Sequence, residues 1–331
     1  MTEETEVFDD SRILHACRRV VGWAEENGAP AVRLAFTQAM AVARPADAGL
    51  ALQVGRLARD AAQYARAETW LRWAIQLARG SKDHDTYVSG YIALGVLYRR
   101  MGNHPAAYTV AGRAVRAAKR YGLSELEGLA LHNLFIFASD GPDVRRAYGF
   151  VREAAQAYGQ NPHRLAVLAH DVASFWCDNA QYTRAAPVIE AVLPRMEAAF
   201  ERALAASNLA RALAGAGDRE HYESARRMAI ELIETLPGTA HRADAFLTVA
   251  RADTLLEEWE RAESAASSAA EIAARRGEAH VLIVAETELA AIRACRAAEA
   301  EATTSEESPG LARHAERLAV DLIRTLERIA A

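Results

Sequence analysis

Lysine is nearly missing from this chain: the 39 basic residues include only Lys82 and Lys119, and the rest are arginine. Against 44 acidic residues they leave a net charge of −5, so the chain has no strongly basic face and no nucleic acid is expected as a partner. No G-x-x-x-x-G-K-[ST] loop accompanies either lysine, which argues against nucleotide hydrolysis. Cysteine is scarce too. Cys17, Cys177 and Cys295 lie far apart without a C-x-x-C, which excludes a disulfide framework or a zinc knuckle and fits a reducing cytoplasm. The ten histidines form no H-x-x-x-H and no H-E-x-x-H, so neither metal nor cofactor is expected. No run of about 18 apolar residues exists to span a membrane. Residues 1–10 are polar and acidic with no apolar core, unlike a signal peptide, and read as a disordered tail.

What the chain does have is hydrophobic residues at 51%, with alanine dominant, in a pattern that repeats. The segment from Tyr91 to Ala118, YIALGVLYRRMGNHPAAYTVAGRAVRAA, predicts two antiparallel helices. Leu94, Gly95 and Tyr98 share one face of the first, because residues three and four apart are neighbours on a helix. Gly102-Asn103 breaks the chain, and Pro105 suits a first helical turn, where its missing N–H costs nothing. Ala107, Ala111 and Ala114 stripe the second helix.

Let Leu94 be position 7, Gly95 position 8, Tyr98 position 11, Gly102 position 15 and Ala107 position 20. The same pattern returns with position 8 at residues 55, 95, 135, 173, 210 and 250, in steps of 37 to 40 residues. Phe135 breaks the rule of a small residue at position 8, which predicts wider helix spacing or a local change in superhelical twist there. The turn Asp140-Gly141-Pro142 also departs from the pattern. Trp70 and Trp73 fall at positions 23 and 26, beside the packing stripe; burial against the following unit is expected, with an apolar convex patch as the alternative.

A small residue at 8, an aromatic near 11 or 17 and alanine at 20 and 27 resembles the tetratricopeptide repeat. That family's period is about 34, so the longer units here resemble the subgroup found in kinesin light chains and bacterial quorum-sensing receptors. The resemblance implies an all-α, right-handed superhelical solenoid of about eight antiparallel helix pairs with no β-sheet. Residues 11–47 read as a degenerate N-terminal pair, 48–278 as six repeats, and 279–331 as a C-terminal pair interrupted by the acidic loop 301–310. The final helix, striped by Leu311, Leu318, Leu322, Leu326 and Ile329, is expected to pack over the last repeat as a cap.

By the same resemblance, positions 2, 5, 6, 9, 12 and 13 of each first helix face a concave groove. The candidate peptide-binding residues are Arg56, His132, Asn133, His170, Asp171, Asn208, Arg211 and Arg251. A carboxamide offers both donor and acceptor, so Asn133 and Asn208 suit capture of a peptide main chain. Arg211 and Arg251 suit a bidentate grip on a carboxylate. The plainer reading is that the asparagines brace adjacent first helices. His170 and Cys177 share a helix face but stand about 10 Å apart along its axis, too far for a catalytic pair.

No catalytic residue is expected. The function implied is a non-enzymatic, cytoplasmic scaffold that holds a protein or peptide segment in its groove. The alternative is a ligand- or peptide-responsive sensor acting on a separate effector or transcription factor. A homodimer through a terminal repeat is left open.

Overall fold

The computed structural model describes residues 10–27, 29–139, 144–236, 240–276, 278–298 and 309–330. The tail over 1–9, the Asp140-Gly141-Pro142 turn, residues 299–300 and residues 301–308 of the acidic loop lie outside them; Pro309 and Gly310, expected in that loop, open the last helix instead. The described residues form sixteen α-helices and no strand. In chain order they are α1 (Asp10–Glu26) and α2 (Pro30–Ala43), α3 (Ala48–Asp60) and α4 (Tyr64–Ser81), α5 (His84–Arg100) and α6 (His104–Tyr121), α7 (Ser124–Ser139) and α8 (Val144–Tyr158). There follow α9 (Pro162–Asp178) and α10 (Tyr182–Val192), α11 (Ala199–Gly215) and α12 (Arg219–Thr235), α13 (Ala240–Leu255) and α14 (Trp259–Arg276), α15 (Ala279–Ala298) and α16 (Pro309–Ala330). A single 3₁₀ turn, Leu193–Arg195, follows α10, whose interior carries Pro187. The helices gather into two compact units, Met1–Asn133 and Leu134–Ala331.

Short polar side chains start many of these helices. Asp47, Asp83, Asn103, Asn161 and Asp218 each accept a backbone N–H three residues ahead, at 2.9, 3.0, 3.2, 3.0 and 3.2 Å. Each such cap satisfies a donor that the helix geometry leaves orphaned and contributes about 1 kcal/mol.

The turn inside each pair is equally regular. Position 15 is left-handed at Ala62, Gly102, Ala180, Gly217 and Glu257, with φ of 57°, 72°, 56°, 78° and 61°. An L-residue pays roughly 1–2 kcal/mol for that conformation, where glycine pays almost nothing. Glycine also loses more chain entropy on folding, by about 0.4–1 kcal/mol. Ala180→Gly, at an exposed site, should therefore stabilise the protein by about 0.5–1 kcal/mol and raise its urea midpoint. A lower midpoint would show that the turn is not strained.

Small residues let helices approach. A Cβ on Gly55 of α3 would stand 2.6 Å from Leu71 Cδ2 and 3.1 Å from the Leu71 backbone nitrogen on α4. The alanines at position 20 (Ala67, Ala107, Ala147, Ala185 and Ala262) have no exposed surface. In the first unit Leu14, Cys17 and Met40 join α1 to α2, with Val21 and Leu50 against them. In the second, Phe135 is buried and stands edge-on to Phe175 of α9 at 6.0 Å, and Phe175 stands edge-on to Tyr148 of α8 at 6.0 Å.

Two expectations need correction. Trp73 is 44% exposed; it points away because the buried stripe of α4 is Leu71, Ala74, Ile75 and Ala78, and position 26 falls outside that arc. Trp70 is half-buried. The last helix also lands elsewhere: α16 makes its principal contacts with α10 and α9, not with the last pair α13 and α14.

Candidate peptide-binding wall

First helices pack on first helices. The contacts α3 with α5, α9 with α11, α11 with α13 and α13 with α15 place positions 5, 6 and 9 of neighbouring units along common walls within each unit.

In the second unit these groups are engaged with one another. His170 is buried, and its Nδ1 lies 3.0 Å from Asp171 Oδ1. The buried Asn208 offers its Nδ2 to His170 Nε2 at 3.2 Å. The hydrogen bond Asn208 makes is thus a brace from α11 to α9, the plainer of the two readings. Arg211 Nη1 donates to Asp178 Oδ1 at 2.6 Å, and Nη2 donates to the Cys177 carbonyl at 3.3 Å. Burial pulls the Arg211 pKa down, but Asp178, Cys177 and Tyr182 together outweigh it and the guanidinium is held more firmly charged. Arg251 grips Glu288 of α15 through Nε at 2.8 Å and Nη2 at 2.7 Å. The carboxylates expected of a ligand for Arg211 and Arg251 are the protein's own.

The first unit differs. Arg59 donates to Asp60 through Nε at 3.0 Å, with Nη2 at 2.9 Å, and Arg100 of α5 stands 3.7 Å from the same oxygen. Arg56, one turn before Asp60 and exposed, makes no hydrogen bond or ion pair among the described residues. The protein around it and the Arg59 charge lower its pKa. Burial lowers that of Arg59 too, with Asp60 opposing and Arg100 adding to the fall. Arg59 and Arg100 thus share the Asp60 carboxylate, with the Arg56 guanidinium on the same helix as Arg59 and outside that contact. Asn133, half-buried on α7, has no hydrogen-bond partner among the described residues, and His132 beside it is buried.

A second set of polar contacts recurs with the repeat, and the sequence reading did not reach it. Position 21 of a second helix meets position 11 of the next first helix. Tyr98 donates to Glu68 at 2.7 Å; Trp176 Nε1 donates to Tyr148 Oη at 2.9 Å. Arg226 holds Asp253 through Nε and Nη2 at 2.7 and 2.9 Å, and Arg293 Nε donates to Glu263 at 2.8 Å. Where position 11 is Leu213, position 21 is Ala186 and both are buried. Chemistry changes from seam to seam, but the two positions stay matched. Only a register for α15 as well as α3 to α14 would have found the pattern, since the partners are 27 to 30 residues apart.

Period, small residue at 8, left-handed 15, alanine at 20 and first-helix stacking coincide. In these features the array of helix pairs resembles the tetratricopeptide repeat. No family model and no curated protein matches the sequence. Among solved structures, the crystal structure of BtubC (BKLC) from P. vanneervenii is similar, at 19% identity over 67% of this chain and 90% of that one, with a TM-score of 0.47. A Podosopora anserina putative kinesin light chain with nearly identical TPR-like repeats is 17% identical over 55% and 92%, with a TM-score of 0.42. The TPR2AB-domain:pHSP90 complex of yeast Sti1 gives 13% identity over 86% and 99%, with a TM-score of 0.31. All three TM-scores are under 0.5, so the resemblance rests on the repeats themselves.

Burial pushes the Cys177 thiol up to about 12, against the pull of Arg211, so at neutral pH it holds its proton. No group of three or more His, Cys, Asp or Glu stands close enough to hold a metal among the described residues. No helix among them is long and apolar enough to cross a membrane.

Proposed function

We propose that this chain is a non-enzymatic interaction scaffold that holds an acidic, extended segment of a partner protein along the first helices of its N-terminal unit. One observation carries the reading. Of the groove candidates, Arg56 and Asn133 have no internal partner among the described residues, whereas Asn208, Arg211 and Arg251 are spent inside the protein. Arg56, Arg59 and Arg100 hold two positive charges beyond what Asp60 neutralises, and a ligand carboxylate relieves that excess. Asn133 then pairs with the segment's main chain.

Capture from the native cell extract, followed by titration of the captured segment, tests this. Arg56→Ala and Asn133→Ala should each weaken binding about five- to tenfold, as expected for a lost hydrogen bond of about 1 kcal/mol or somewhat more when charged. Arg251→Ala should change it less than about twofold, as its partner is internal. Affinity should also fall with salt, because exposed charges are screened beyond about 10 Å at 0.1 M. Equal losses at Arg56 and Arg251 would sink the assignment to the first unit.

Self-association through the first helix is a second reading, favoured by a specific surface. Beside its buried stripe, α1 carries an outer stripe of Ile13, Ala16, Val20 and Trp23, with Ile13 38% and Trp23 54% exposed. Exposed apolar stripes of this kind mark contact surfaces. Trp23→Glu should convert a dimer seen by sedimentation into monomer; a wild type that is monomeric at every concentration would remove the reading.

A further inference from the structure

Helix α16 does not stay with its sequence neighbours. Residues 299–308 join it to α15, yet its principal contacts among the described residues are with α10 and α9, more than a hundred residues upstream. Leu318, Ala319 and Leu322 are buried, at 6%, 9% and 6% exposure. Glu316 reaches Arg184 in the first turn of α10, with Nη2 and Oε1 3.2 Å apart. The opposite side of α16 is mostly polar: Glu316, Arg317, Asp321, Arg324, Glu327 and Arg328 are exposed. The helix therefore sits on its seat as an amphipathic peptide sits on a receptor, by an apolar stripe with the Glu316–Arg184 contact beside it.

We propose that the α9–α10 face is a docking site for an amphipathic helix, and that α16 is the chain's own displaceable occupant of it. Three features support exchange rather than a fixed core element. The seat is built from helices that complete their own pairing without α16, since α9 packs on α10 and on α11. Among the described side chains of α16, the contact rests on Leu318, Ala319 and Leu322. The covalent tie to α15 is the segment 299–308, EAEATTSEES, acidic and rich in Ser and Thr. The tie keeps α16 in the same molecule as its seat, so a competing helix displaces it by matching the seat better. The partner helix that fits carries the same spacing as α16: a carboxylate, apolar residues two, three and six positions later, and a polar far side. The proposal is independent of the groove reading, because it concerns neither Arg56 nor Asn133.

The test uses the whole chain and a fluorescent peptide copying residues 309–330. In wild type the seat is filled and the peptide should bind weakly. Leu318→Asp/Leu322→Asp should release α16 and tighten peptide binding at least about tenfold, since removing an internal competitor raises the competent fraction. Adding Arg184→Glu to that variant should weaken the peptide, and a peptide carrying Glu316→Arg should recover it. Circular dichroism checks that each variant stays folded, and the charge exchange stands as a test even where the double leucine change unfolds α16 alone. Equal binding to wild type and released variant, or indifference to the charge exchange, would overturn the proposal. Concentration-dependent dimers of wild type that the peptide dissociates would instead assign the seat to a second copy's α16, and overturn the heterologous partner.

Discussion

Asp253→Ala should cost about 3 kcal/mol or more, in a range of roughly 3–5 for breaking a buried ion pair from one side. The Asp253 carboxylate has no exposed surface and accepts from Tyr222 Oη at 2.5 Å and from Arg226 at 2.7 and 2.9 Å. Without it, the Arg226 charge and the fully buried Tyr222 hydroxyl lose their partner together. The 20% exposure of the Arg226 side chain lets water share the load, which places the expected value at the lower end. Asp253→Asn, which keeps the shape and one acceptor, should cost less. Replacing all three polar groups at once, as Tyr222→Phe/Arg226→Met/Asp253→Leu, should recover most of the loss, because desolvation then costs nothing. Since a repeat array unfolds by neighbouring units, urea titration followed by circular dichroism should show the lost stability as an earlier transition of part of the signal. A triple variant as unstable as Asp253→Ala would mean that side-chain shape, not the uncompensated charge, sets the cost.

The same site gives a pH dependence with a definite sign. Burial, and then the hydrogen bond to Asp253, raise the Tyr222 pKa above the value of about 10 of an unfolded tyrosine. The folded state thus keeps this proton longer than the unfolded state does. The contribution is whole below about pH 10 and is lost as pH rises through the folded value, so wild type should soften in alkali more steeply than Tyr222→Phe.

Trp176→Ala should cost a similar amount, about 3–5 kcal/mol for a large buried aromatic. Trp176 has no exposed surface, and its indole N–H is the donor to Tyr148 at 2.9 Å. Two milder changes separate packing from the polar contact. Trp176→Phe keeps most of the apolar fill, whereas Tyr148→Phe leaves a buried indole N–H without its acceptor, at about 1–3 kcal/mol. Urea midpoints should therefore fall in both, and most in Trp176→Ala. A Tyr148→Phe variant as stable as wild type would show that the matched positions 11 and 21 serve only as apolar contact at this seam.

The helices at Tyr91–Ala118 were legible because a 3.6-residue period, a Gly-Asn break and a proline in a first turn are local signals, each set by residues within one turn of one another. The small residue at position 8 was legible for the same reason, and Gly55 against Leu71 is its steric counterpart. Phe135 was visible as an exception, but not the ring contacts with Phe175 that accommodate it, since those depend on where another helix lies.

The candidate site was half legible. Position alone put Arg56, Asn133, Asn208, Arg211 and Arg251 on first-helix faces. It could not say which charges are already spent: Asp178 lies 33 residues before Arg211, and Glu288 lies 37 after Arg251, and such pairs exist only once helix spacing and side-chain reach are set in three dimensions. The fate of α16 is the clearest division. Its amphipathic stripe is a property of the sequence, and any apolar surface of the right width satisfies it; the choice of α9 and α10 over the adjacent pair was made by tertiary structure. Local chain stereochemistry and periodicity therefore determined the helices, their pairing and the repeat. Burial and charge compensation between distant segments, which depend on distance in space and not along the chain, decided which groups remain available to a partner.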